Sequence, residues 1–156
     1  MSGGRVMVAE VLNRLVVNPT EERNVGAAKE VFDGMVEKRC VWSDKVLRTG
    51  YAVDHVIPFR LWHCNDLWNL LPCDAHVNGR KSDKQPERGP LFQRKDAIVF
   101  YWESVRQRLE RRFDHELVSF TGKKPETGNC QNPGFQRLVE AVEVTAIRRG
   151  AERWRP

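Results

Sequence analysis

Apolar and polar positions along the chain change their period twice, which divides it into three segments. In the first, Val25, Ala28, Phe32 and Met35 recur every three or four residues and share one face of an α-helix. Asn18-Pro19-Thr20-Glu21 just ahead reads as the start of that helix: Asn caps, Pro fits the first helical position, and an acid suits the first turn. Val8, Val11, Leu12 and Leu15 have the spacing of a shorter helix before it, so the chain to about Arg39 is expected to be helical.

From Cys40 to Pro86 the pattern shortens. Cys40-Val41-Trp42, Val46-Leu47 and Tyr51-Ala52-Val53 are brief β-favouring runs, parted by the turn residues Ser43-Asp44 and Thr49-Gly50. A loop is expected from Ile57 to Asp66, then an apolar run from Leu67 to Leu71 and Pro72. Asp74 is placed to cap a short helix reaching about Lys81, and Gln85-Pro86 ends it. In the last segment Ile98, Trp102, Val105, Leu109 and Phe113 line one helical face, with Arg and Glu opposite. Thr121 to Gly134 reads as a loop. Asn132-Pro133 then opens a final helix with Phe135, Leu138, Val139, Val142 and Ala146 inward. The expected fold class is α+β: one domain over residues 1–156, with a small ββα unit over 40–86 set between helices over 1–39 and 87–156.

Composition narrows the partners. A chain of 156 residues with 40% hydrophobic and 30% charged residues can bury its own core as a single soluble domain. No apolar run approaches the roughly 18 residues of a membrane span. The N-terminal stretch lacks the unbroken apolar core of a secretory signal, so the chain reads as cytoplasmic, with no membrane partner. Net charge is +5 and the pI is near 9.2, which permits a polyanionic partner. The basic residues cluster at Arg106, Arg108, Arg111 and Arg112, and again at Arg148, Arg149, Arg153 and Arg155. Cys40, Cys64, Cys73 and Cys130 lack paired C-x-x-C spacing, so they are expected as free thiols without a structural zinc.

Candidate chemistry gathers in the middle segment. Apolar strand residues are interrupted at a strand end by Asp54-His55, followed by amides at Asn69 and Asn78. An imidazole suits proton removal from water near neutral pH, because its unperturbed pKa is about 6.5. A hard divalent cation, Mg2+ or Mn2+, prefers oxygen ligands and stabilises charge developing on a phosphodiester. The Asp54 carboxylate and Asn78 carbonyl are such ligands. His76, two positions earlier, is the alternative and would suit a softer metal. Two helical positions so spaced point about 200° apart, so both cannot face one ion. Lys81, three residues after Asn78, shares its face and is expected to reach a substrate phosphate.

This arrangement resembles the HNH endonuclease family, built on a ββα-metal finger, and most of all the HNH nuclease domain of RNA-guided CRISPR effectors. The resemblance rests on Asp54-His55, Asn69 fourteen residues after His55, Asn78 nine further on, and the Lys81-Ser82-Asp83 that follows. It covers Tyr51 to Pro86 and none of the flanking helices. It implies His55 as general base, Asp54 and Asn78 as metal ligands, and Asn69 as the residue fixing the geometry around His55. Many members place cysteine pairs around this unit; this chain has only Cys40 near the first such position.

The expected activity is therefore hydrolysis of DNA phosphodiester bonds, one strand per active site, on double-stranded substrate. A double-strand break needs a homodimer or two successive nicks. RNA in place of DNA, and a nucleic-acid-binding module without turnover, are the alternatives. The family likeness alone suggests an antiviral defence setting or a place in a larger effector assembly.

Overall fold

The structure is a computed structural model and describes residues 22–122 and 131–156. The first helix, α1, spans Gly26–Asp33, and strand β1 spans Ala52–His55. A one-turn helix α2 (Phe59–Trp62) and a 3-10 turn (Leu67–Asn69) lead into β2 (Leu70–Cys73) and α3 (Ala75–Lys81). There follow β3 (Gln85–Pro86), α4 (Arg88–Gln93), the long α5 (Lys95–Thr121), α6 (Gln131–Arg149) and β4 (Arg153–Trp154). Helix predominates around small sheets, in keeping with an α+β class. β1 and β2 pair antiparallel, with Asp54 opposite Leu71 and His55 opposite Leu70. β3 and β4 pair in parallel.

Tryptophan organises the core. An indole buries a large ring but still needs an acceptor for its N–H. Trp102 of α5 donates to the Trp68 carbonyl at 2.8 Å, which fastens α5 to the turn ahead of β2. Trp68 stacks on Phe120 with ring centres 3.8 Å apart. Trp62 meets both rings edge-on and donates to Thr145 of α6 at 2.8 Å. The expected apolar face of α5 holds: Ile98, Trp102, Val105 and Phe113 are buried. At Leu109 the helix breaks, with φ −132° and ψ 46°. Arg106 reaches Asp114 across that break at 2.8 Å.

Several local expectations change. Residues 22–25 are not helical, and the first helix ends at Asp33 rather than near Arg39. Asn24 is engaged elsewhere: its N–H donates to Asn65, and its side-chain oxygen accepts from Gly26 at the helix start. Cys40-Val41-Trp42 forms a turn rather than a strand, and only Arg39 and Val46 bridge there. The loop after Ile57 contains α2, and Gln85-Pro86 continues into a strand pairing with β4. The Asp74 cap holds, with its carboxylate accepting from the His76 and Val77 amides. The expected helix before Asn18, the Asn18–Glu21 start and Cys130 lie outside the described residues.

Candidate active site

Asp54 and His55 are the last residues of β1, and each is only 2% exposed. A charged carboxylate in such a place must be paired. Asp54 accepts from Trp42 Nε1 on Oδ2 at 2.8 Å and from Lys81 Nζ on Oδ1 at 3.2 Å. Lys81 also donates to the His55 carbonyl at 2.8 Å and is fully buried. This corrects the expectation that Lys81 meets a substrate phosphate. Val77 and Lys81, four residues apart, form the inward face of α3, so the ammonium points into β1.

His55 lies against Phe59, with ring centres 5.4 Å apart. Its Nε2 is 3.1 Å from Asn65 Oδ1, while Nδ1 is buried with no hydrogen-bond partner among the described residues. Burial holds its pKa below the ordinary histidine value, against the opposing pull of the Asn65 hydrogen bond. The ring is thus neutral near neutral pH, the state in which an imidazole accepts a proton.

Asn69 is wholly buried and touches the backbone beyond His55 rather than its ring. Its Oδ1 accepts from Ile57 N at 2.8 Å, and its Nδ2 donates to Ile57 O at 3.0 Å and Cys64 O at 3.1 Å. Its own carbonyl accepts from Val56 N. Four hydrogen bonds through one residue fix the chain leaving β1, so Asn69 positions His55 indirectly. Asn78 is half-buried on α3 on the side of Lys81, whereas His76 is exposed.

Asp54 and Asn78 offer the donor chemistry of a hard divalent cation, one anionic oxygen and one neutral. Their arrangement does not fit one. Both Asp54 oxygens are engaged, and the Lys81 ammonium already supplies the positive charge there. Among the described residues no three His, Cys, Asp or Glu side chains gather as metal ligands. Cys40 and Cys73 do meet, with Sγ atoms 3.8 Å apart, and the hydrogen bond between them draws the Cys40 thiol down to about 5.

A cavity of about 610 Å3 opens beside Asn65, lined by Glu22, Arg23, Asn24, Leu70 and Arg112. Arg112 also pairs with Glu116, and Arg106 with Asp114, so part of the α5 basic cluster is neutralised within the chain. Two residues central to the site were not singled out from sequence: Trp42 and Asn65. A buried indole signals that an acceptor is needed but not which one. Asn65 acts through partners 10 and 41 residues away, for which local sequence has no signature. No family model, curated protein or solved structure matches the chain. Among the described residues no helix is long and apolar enough to cross a membrane.

Proposed function

We propose that the chain is an HNH-type endonuclease that hydrolyses DNA phosphodiester bonds with His55 as general base. The observation that carries this reading is the buried His55 ring at the end of β1, with one nitrogen held by Asn65 and the other without a partner among the described residues. A base needs a free lone pair of fixed direction, which Nδ1 has; because Nδ1 is buried, the attacking water reaches it only in an arrangement that opens the end of β1. The antiparallel β1–β2 pair followed by α3, with Asn69 bracing the loop after His55, supports the same reading. Arg23 at the adjoining cavity offers a cationic group to a polyanionic strand. The reading includes Mg2+ or Mn2+ at Asp54 and Asn78 only in an arrangement in which Lys81 has left Asp54. Proton removal by His55 stands without it.

The second reading, a nucleic-acid-binding module without turnover, is favoured by one observation: the Asp54 carboxylate is closed off by Lys81 and Trp42. Incubation of supercoiled plasmid with the protein, with Mg2+, Mn2+ or EDTA, separates the two. Nicked product that disappears in the His55→Ala variant supports the nuclease. Plasmid retardation without nicking under every condition supports the binding module. A matched single-stranded RNA substrate tests the RNA alternative.

A further inference from the structure

We infer that Asn65 sets the proton on His55: clamped by the backbone of residues 22–24, its amide holds the imidazole in the Nε2–H form and leaves Nδ1 as the atom that takes a proton. The base role of His55 rests on the proposed function; the tautomer assignment does not.

The argument runs through groups of fixed polarity. The backbone N–H of Asn24 donates to Asn65 Oδ1 at 3.0 Å, and a peptide N–H can only donate. The Asn65 Nδ2 donates to the Glu22 carbonyl at 2.8 Å, and a carbonyl can only accept. An amide side chain can be placed either way round, and these two contacts admit only one. Oδ1 therefore faces His55 Nε2 at 3.1 Å. An oxygen lone pair there calls for an N–H, so Nε2 carries the proton and a neutral ring has its lone pair on Nδ1. The opposite tautomer would set two lone pairs against each other and bury an N–H on Nδ1, which has no partner among the described residues. Asn65 is held from a third side by Arg112, which donates to its carbonyl at 3.4 Å. It is a positioning residue: it orients His55 and fixes which nitrogen is basic. The segment from Glu22 to Asn24, outside the Tyr51–Pro86 stretch that carries the family likeness, thereby becomes part of the site.

The test uses the full chain labelled with 15N-histidine. Long-range 1H–15N correlation reports which nitrogen of each neutral ring bears hydrogen, and His55→Gln identifies the His55 signals. The wild-type protein is expected to show His55 protonated on Nε2; a ring protonated on Nδ1 overturns the inference. Asn65→Ala is expected to give a mixture of tautomers. It should also lower plasmid-nicking kcat by about 10- to 100-fold, part of what a positioned base supplies, with KM little changed. Asn65→Asp keeps an acceptor oxygen towards Nε2 while losing the donor to the Glu22 carbonyl, and is expected to keep a proton on Nε2. An Asn65→Ala protein with the wild-type tautomer overturns the inference. Should that variant fail to fold, the wild-type and Asn65→Asp spectra still decide it. A wild-type protein with the Nε2–H form but no nicking would leave the Asn65 assignment standing and remove the nuclease reading instead.

Discussion

Lys81 and Asp54 form an ion pair sealed from solvent, with Nζ 3.2 Å from Oδ1 and the two side chains 0% and 4% exposed. Removing one member of such a pair strands the other charge, at a cost of about 3–5 kcal/mol. Lys81→Met should therefore lower stability strongly. In that variant Asp54 is free to accept another cation, and Mn2+ should raise its melting temperature by more than it raises that of the wild type. Thermal unfolding with and without Mn2+ checks this; equal metal responses in both proteins would show that Lys81 does not guard Asp54.

His55→Ala should reduce nicking by about 100- to 10,000-fold while DNA affinity, read by fluorescence anisotropy, stays within a few-fold. A base acts on the transition state and contributes little to ground-state binding. Near-normal turnover in this variant removes His55 from the mechanism.

Trp42→Phe preserves most of the ring packing and deletes the only group that donates to Asp54 Oδ2 among the described residues. A buried acceptor left without its donor costs about 1–3 kcal/mol. Urea denaturation should show a loss in that range, and a loss below about 0.5 kcal/mol would mean water takes over the role of the indole.

Glu116 connects stability to pH. Its carboxyl accepts from the Leu67 amide, and burial raises its pKa from 4.5 to about 7. The folded state therefore binds this proton more tightly than the unfolded chain does. The stabilisation it brings is fully present below about pH 4.5 and is lost as pH rises towards 7. Glu116→Gln keeps an acceptor oxygen and removes the titration. The wild type should lose stability relative to this variant between pH 4.5 and pH 8, as read from urea midpoints. A constant difference between them would place the ionisation elsewhere.

What the sequence made legible was local. Asp74 as a cap, with Gln85-Pro86 as the break beyond, gave α3, and the spacing from Ile98 to Phe113 gave the buried face of α5. Asp54, His55 and Asn69 stood out because polar residues broke apolar runs, and the structure places all three side chains in the interior at the end of β1. Lys81 is expected at a substrate phosphate because it shares a helix face with Asn78, although Val77 four residues earlier already marks its side of α3 as inward. Trp42 and Asn65 were not legible at all. Their partners come from elsewhere in the chain, and only the assembled fold brings them together.

The pairing of β4 with β3 has a consequence for how the site can be handled as a unit. It seats Trp154 edge-on against Trp42, with ring centres 5.5 Å apart, and Trp42 is the residue that holds Asp54. The segment over 40–86 carries the candidate chemistry yet borrows its rigidity from the opposite end of the chain. It is not a portable cassette: a chain clipped after Gly150 would keep the candidate side chains in the segment but lose the brace beneath one of them.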